Sequence, residues 1–336
     1  MKEKDVSPEE AMEQMQKIFR KRGTKALEMA RKQILQEKIE SKEAREALTY
    51  FMTQYWHDLA RPSLLSSVCE AVGGEPELTT SIAVPMTLIS GAIDTHDDII
   101  DQSKTKNGRP TVYGKYGKDI ALLAGDALLL KGLTLLNKIA EKDISSEKMR
   151  IIVDIVKNMF FELGDAEALE LQFRRNLNVS PQEYLKVVRK KAADVEAHAR
   201  IGAIVGGASP EEVEVLGEYG RSLGMLILLR DDWIDIFDVK ERRSRIKNES
   251  LPLPLLYGLQ QPAIKHELRK ILQKKTVTRK NSEIILDTIQ KTDVLQMVAK
   301  LMNALAEDAI LKLRKRRVKG KYLELMAKAT LSSLNE

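Results

Sequence analysis

Two short stretches decide the fold and the chemistry that this sequence predicts: His96-Asp-Asp-Ile-Ile-Asp101 and Arg230-Asp-Asp-Trp-Ile-Asp235. Each holds three aspartates at the spacing Asp-Asp-x-x-Asp in an apolar stretch of helical character, with no Gly or Pro inside it. Residues four apart share one face of an α-helix, so the outer aspartates of each stretch lie side by side. We call the two sets the first aspartate cluster (Asp97, Asp98, Asp101) and the second aspartate cluster (Asp231, Asp232, Asp235).

The spacing of both clusters predicts a metal site. Carboxylates crowded on one helix face repel one another unless a cation neutralises them. Hard oxygen ligands suit Mg²⁺, which is usually held by a few carboxylates together with the phosphates of a substrate. A single aspartate triplet is more often a solvated acidic face, but two triplets, each after an apolar segment, favour a pocket for a charged head and an apolar tail. The candidate metal ligands are Asp97, Asp101, Asp231 and Asp235.

Composition and periodicity predict an all-α fold. The 336 residues are 43% hydrophobic and only 5% aromatic, and the prevalence of Leu, Ala, Ile, Lys and Glu favours helix over sheet. Residues 78–102 and 210–237 are predicted as the helices that carry the clusters, and residues 239–250 as a charged loop. We found no convincing alternating strand pattern and no repeat. The prediction is one domain over residues 1–336, a single large bundle of roughly ten helices with an active-site cavity between them.

Charge and targeting signals point to a cytoplasmic protein. The net charge is +6, and the densest basic run, residues 312–321, is interpreted as a solvated helix end, with contact to a membrane surface or an anionic partner as the lesser alternative. No nucleic-acid partner is expected. The first ten residues are charged and resemble neither a secretory signal nor a transit peptide. No run of about 18 apolar residues occurs, so no spanning helix is predicted.

Further motifs give the chain a family resemblance. Gly108-Arg-Pro-Thr111 follows the first cluster, and Leu122-Leu-Ala-Gly-Asp-Ala-Leu-Leu129 comes later. Together with the clusters they resemble the trans-isoprenyl diphosphate synthase (polyprenyl synthetase) family, most strongly over about residues 60–256. The resemblance implies the isoprenoid synthase fold, three Mg²⁺ ions, an allylic prenyl diphosphate substrate and a homodimer. It also implies that the metals are held by Asp97, Asp101 and Asp231, supported by Asp98, Asp232 and Asp235.

The same resemblance assigns basic residues to the diphosphate. Lys191 matches the Lys of the family's Lys-Thr motif, although Ala192 replaces the Thr. Lys106 stands at the first of two arginines and can act as a point charge. Arg61 survives from a basic stretch that, in chain-elongating members, binds a second, homoallylic diphosphate.

The departures from the family gather on that second-substrate side. An acid replaces a Lys there, which should repel a diphosphate rather than hold it. The departures are Asp58 for Lys, Ser90 for His, Asn107 for Arg, Leu228 for Gln and Glu167 for Gln.

Three functions therefore stay open. The asymmetry favours a terpene-synthase-like enzyme that ionises one prenyl diphosphate, after which the cation cyclises, loses a proton or captures water. The alternatives are a chain-elongating prenyltransferase that adds isopentenyl diphosphate and a non-elongating subunit of a heteromeric prenyl diphosphate synthase. The intact clusters argue against the last of these, because a purely structural subunit has no need of carboxylates that repel one another.

Overall fold

A computed structural model describes residues 6–106, 108–139, 144–315, 318 and 320–334. Over these ranges the chain is helical, apart from one antiparallel hairpin of two-residue strands, β1 (Thr105–Lys106) and β2 (Arg109–Pro110). The α-helices are α1 (Pro8–Leu35), α2 (Lys42–Tyr50), α3 (Ala60–Ala71), α4 (Thr80–Ile100), α5 (Val112–Ile139), α6 (Ser146–Phe173), α7 (Pro181–Lys191), α8 (Ala193–Gly206), α9 (Pro210–Phe237), α10 (Val239–Asn248), α11 (Leu253–Gly258), α12 (Pro262–Leu272), α13 (Arg279–Gln290), α14 (Val294–Lys315) and α15 (Lys321–Ala329). A π-helical turn (Phe51–Tyr55) and two short 3₁₀ turns (Pro76–Thr79 and Ser332–Leu334) complete the description.

Local sequence explains where the helices around the site begin. Ser180 and Ser209 each precede a proline and stand three residues before a glutamate. In both capping boxes the serine hydroxyl accepts the glutamate backbone N–H, and the glutamate side chain accepts the serine N–H. This arrangement satisfies backbone donors that a helix start otherwise leaves unpaired. It fixes the starts of α7 and α9, the helices that carry Lys191 and the second cluster.

Helices α4 and α9 form the centre of the bundle. The eleven residues Ile82–Ala92 of α4 are all buried, and α9 is mostly buried from Leu216 to Leu229. Around them, α4 packs against α5, and α9 packs against α8 and α14. Each aspartate cluster therefore lies at the C-terminal end of an apolar central helix. The predicted all-α bundle is confirmed, although the described residues form fifteen α-helices rather than roughly ten.

Two glycines let α8 and α9 approach closely. A Cβ added to Gly220 would lie 2.8 Å from the Cβ of Ala199, and one added to Gly224 would lie 2.8 Å from the Cβ of Ala192. Real Cβ atoms do not come this close, so larger side chains would push the helices apart. The junction between α7 and α8, where Lys191 lies, is thereby held against α9.

The prediction of a charged loop over residues 239–250 is wrong, because residues 239–248 form α10. The carboxylate of Asp238 accepts the backbone N–H groups of Lys240 at 2.6 Å and Glu241 at 3.1 Å, which makes it the N-cap. High charge density suggested a loop, whereas the cap and the pairing of Arg245 with buried carboxylates stabilise a helix.

Within the described ranges, no helix is long and apolar enough to cross a membrane, as the sequence predicts. The cytoplasmic location and the lack of a nucleic-acid partner stay predictions.

Candidate functional site

The first aspartate cluster lies where α4 ends. Asp98 is only 3% exposed; its carboxylate accepts the Tyr55 hydroxyl at 3.1 Å and lies 2.9 Å from the Lys106 ammonium. Burial raises the pKa of Asp98 to about 6, although Lys106 opposes the shift. Asp97 lies 3.3 Å from Lys106 and 3.9 Å from Lys191. Burial disfavours its charge, but these two lysines hold the pKa of Asp97 below its usual value.

Three carboxylates converge beside these lysines. Oxygen atoms of Asp97, Asp101 and Glu167 all lie within 4.8 Å of one another. Burial and the charge of Asp97 raise the pKa of Asp101 to about 8. Burial, opposed by Lys191 and reinforced by Asp97, raises the pKa of Glu167 to about 7. An all-oxygen donor set whose members repel one another fits a hard divalent cation such as Mg²⁺.

The second aspartate cluster divides into three environments. The Asp231 side chain is 49% exposed and pairs with the neighbouring Arg230 at 2.9 Å. Asp232 is 1% exposed and accepts hydrogen bonds from the Tyr184 hydroxyl at 2.8 Å, the Leu253 N–H at 2.9 Å and Arg245 at 2.7 Å. Asp235 lies 3.1 Å from Arg245, and burial raises its pKa to about 7 despite that cation. Asp231 is thus open to solvent, whereas Asp232 anchors neighbouring helices.

A row of charged side chains joins the two clusters. Beyond its contacts with the second cluster, Arg245 holds Glu249 at 3.0 Å. The next residue, Ser250, donates a hydrogen bond to Glu170. Glu170 in turn lies 2.6 Å from Lys191, which reaches the first cluster at 3.9 Å. The two clusters therefore belong to one polar site at the end of α4 and α9, as the spacing of the motifs suggests but cannot establish.

Both predicted diphosphate-binding lysines lie in this site, and both are already engaged. Burial disfavours the Lys191 ammonium, yet Glu170, Asp97 and Glu167 keep its pKa well above the usual value. Lys106 is held in the same way by Asp97 and Asp98. A phosphate group entering the site would have to draw these ammonium groups away from carboxylates, or share them.

Arg61, the third basic candidate, is enclosed by acids. Its guanidinium lies 2.8 Å from Asp58 and 3.2 Å from Asp94, and its Nε donates to Asp194. Burial opposes ionisation of Asp194, but Arg61 and His198 hold the pKa of this carboxyl below its usual value. Sequence reasoning missed Asp94 and Asp194. Of these two residues, only Asp94 could have been found from a sequence pattern, because it lies one helical turn before Asp97 on α4.

The other departures from the family are more scattered. Ser90 is buried in α4, and Leu228 is half-buried in α9. Asn107 lies outside the described residues. Four further side chains contact the clusters without any local motif that marks them: Tyr55, Arg174, Tyr184 and Arg245.

Two helices that end in Asp-Asp-x-x-Asp at one polar site of an all-α bundle define the isoprenoid synthase type of fold. A profile described as polyprenyl synthetase matches residues 41–289, so the chain belongs to the polyprenyl synthetase family.

Relatives and solved structures agree with this assignment. A short chain isoprenyl diphosphate synthase from Methanothermobacter thermautotrophicus is 34% identical over 182 residues, which cover 54% of this chain and 55% of the relative. A geranylgeranyl diphosphate synthase from Methanosarcina mazei is 33% identical over 194 residues, covering 57% and 58%. The crystal structure of a geranylgeranyl pyrophosphate synthetase from Pyrococcus horikoshii superposes with a TM-score of 0.82 at 25% identity, covering 95% of this chain and 99% of that one. The chain thus spans somewhat more than half the length of the curated relatives that it matches.

Proposed function

We propose that this chain is a prenyl diphosphate synthase, which ionises an allylic prenyl diphosphate and joins the resulting cation to isopentenyl diphosphate. The observation that carries the proposal is the meeting of both aspartate clusters at one charged site beyond the apolar helices α4 and α9. The names of the relatives favour chain elongation over the terpene-synthase-like reaction that the sequence alone suggests.

The donor chemistry fits the metal that the family implies. Mg²⁺ would be held by Asp97, Asp101, Asp231 and Asp235, and the resemblance suggests three ions. When bound, it would neutralise the charge that builds on the diphosphate as the C–O bond breaks.

The side chains of the site supply the other requirements. Lys106 and Lys191 provide two fixed ammonium groups for the leaving diphosphate. The apolar faces of α4 and α9 keep out water that would otherwise capture the allylic cation. Asp232 and Tyr184 hold α7, α9 and the start of α11 together, so that Asp231 and Asp235 keep their spacing.

One observation favours a second candidate, the single-substrate reaction. Arg61 is the basic residue that survives on the second-substrate side, and three carboxylates enclose it. A diphosphate would have to compete with Asp58, Asp94 and Asp194 for its guanidinium. If it cannot, the allylic cation would cyclise, lose a proton or meet water.

An incubation of the purified protein with labelled allylic prenyl diphosphate and Mg²⁺, with and without isopentenyl diphosphate, tests the proposal. We expect longer prenyl diphosphates only when isopentenyl diphosphate is present. Hydrocarbon or alcohol products without it would overturn elongation in favour of the single-substrate reaction. Inactivity that a second subunit relieves would instead identify a non-elongating component.

A variant near Arg61 tests in the same assay whether the surrounding carboxylates weaken the binding of isopentenyl diphosphate. Asp58→Lys removes one of the three carboxylates and adds a cation, so the KM for isopentenyl diphosphate is expected to fall about fivefold, an effect of roughly 1 kcal/mol. Asp308→Lys makes the same charge change on an exposed part of α14 and should leave this KM unchanged. Equal KM values for the Asp58 variant and the unmodified protein would exclude Arg61 from the second-substrate site.

We further propose that the chain forms a homodimer through α5 and α6. These helices expose large apolar side chains on neighbouring faces, among them Phe161 at 76%. Contiguous apolar surface of this kind usually marks a protein interface. The other exposed large apolar side chains of these two helices are Leu122, Leu123, Leu130, Leu133, Ile151, Val153 and Leu171.

Phe161→Glu is expected to convert the dimer to a monomer, because it places a charge in the centre of an apolar contact. Sedimentation velocity measures the change in mass. Leu311→Glu, on an exposed part of α14, is the matched control and should stay dimeric. A Phe161→Glu variant that sediments as a dimer would remove α5 and α6 as the interface.

A further inference from the structure

We propose that Glu167 is a third carboxylate ligand of the divalent cation at the first aspartate cluster. The inference rests on the proposed function, because that function requires the metal. It goes further, since the family resemblance assigns this position to a neutral Gln and assigns the cation to aspartates alone.

The position of Glu167 places its carboxylate beside the first aspartate cluster. Glu167 comes from α6, whereas the first aspartate cluster lies at the end of α4. Its carboxylate nevertheless lies with those of Asp97 and Asp101 in one group of oxygens, all within 4.8 Å of one another. The side chain of Glu167 is half-buried, so a cation entering from solvent can reach it. These carboxylates would supply three of the hard oxygen ligands that Mg²⁺ prefers, and water or phosphate would supply the others.

The side chains around the first aspartate cluster carry an excess of negative charge. Ion pairs around the first cluster join five carboxylates to only three cations, which leaves an excess of two negative charges when all are ionised. Lys191 is shared among Glu167 at 2.9 Å, Glu170 at 2.6 Å and Asp97 at 3.9 Å. One divalent cation matches the excess. The carboxylates are Asp97, Asp98, Asp101, Glu167 and Glu170, and the cations are Lys106, Lys191 and Arg174.

The competing explanation is that Glu167 serves only as a counter-charge for Lys191. Glu170 separates the two explanations because it is also a partner of Lys191, yet it lies outside the group of converging oxygens. Glu170 also accepts a hydrogen bond from Ser250, which Gln at this position can still accept. Glu167→Gln and Glu170→Gln therefore remove the same charge beside the same lysine, and only the first removes the proposed ligand.

The test is the binding of Mn²⁺, as a probe for Mg²⁺, to the full chain in the absence of any prenyl diphosphate. The electron paramagnetic resonance signal of the free ion measures how much Mn²⁺ remains unbound. We expect Glu167→Gln to weaken Mn²⁺ binding roughly tenfold or more, as the loss of groups that hold a metal commonly does. Glu167→Asp, which keeps the charge but withdraws the oxygens, should also weaken it. Glu170→Gln and the surface control Asp165→Asn should stay within about threefold of the unmodified protein.

Three results would overturn the proposal: Mn²⁺ binding by Glu167→Gln within twofold of the unmodified protein, an equal loss in Glu170→Gln, or no binding of Mn²⁺ by the unmodified protein in the millimolar range. Circular dichroism of each variant checks that it is folded. Because no prenyl diphosphate is present, the outcome is independent of whether the protein elongates its substrate. Failure of this inference and failure of the proposed function are therefore distinguishable.

Discussion

Asp97→Ala is expected to lower the turnover of the allylic prenyl diphosphate by at least about a hundredfold, which corresponds to roughly 3 kcal/mol in the activation free energy. Asp97 contacts both the converging carboxylates and the lysines of the site. Its carboxylate lies near those of Asp101 and Glu167, and it pairs with both Lys106 and Lys191. Its removal therefore deprives the metal of a ligand and both lysines of a partner that positions them. Steady-state consumption of labelled substrate at saturating Mg²⁺ measures the loss.

The same substitution should not unfold the protein. The pairing of Asp97 with two lysines stabilises the fold, so the melting temperature is expected to fall modestly; Lys106 keeps Asp98, and Lys191 keeps Glu167 and Glu170, as partners. Asp308→Ala provides the control, since Asp308 is exposed on α14 and pairs with Lys312 at 2.8 Å away from the site. A folded Asp97→Ala variant that keeps more than about a tenth of the activity would contradict the assignment of Asp97 as a metal ligand.

Asp232→Ala is expected to lower the free energy of unfolding by about 3–5 kcal/mol. The substitution leaves three buried donors without their acceptor, namely the Tyr184 hydroxyl, the Leu253 N–H and the Arg245 guanidinium. Arg245 keeps Asp235 and Glu249 as partners, so the cost comes from the loss of one of its three ion pairs and from the burial of the other two donors without an acceptor. Its neighbour Asp231 is half-exposed, so Asp231→Ala should remove turnover while changing the free energy of unfolding by less than about 1 kcal/mol.

Denaturant unfolding and turnover, measured on both variants, separate the two roles. Asp232→Asn is a useful intermediate, because its amide oxygen can still accept the Leu253 N–H but carries no charge for Arg245. Its loss of stability should fall between those of the unmodified protein and Asp232→Ala. If Asp232→Ala were as stable as Asp231→Ala while turnover fell, Asp232 would be a ligand in the site and not an anchor of the scaffold.

The sequence predicted those features that depend on neighbouring residues. The apolar runs before each cluster are local patterns, and the structure has the helices that they predict. The density of charge over residues 239–248 predicts a loop instead, because that pattern takes no account of the cap provided by Asp238.

Contacts between distant segments could not be predicted in this way. Arg61 meets Asp194, which lies 133 residues further along the chain, and Ser250 meets Glu170 across 80 residues. No spacing rule relates such pairs, since the packing of whole helices decides which charges meet. The motif supplied Lys191 through its resemblance to known sequences, but not the two glutamates that hold it.

The glycine contacts between α8 and α9 have a consequence for how the site changes shape during a reaction cycle. Because Gly220 and Gly224 press α9 against the neighbouring helix, Lys191 and the second cluster form one rigid wall. Closure around an incoming substrate would then move Lys191 and the second cluster together, because neither can shift without the other.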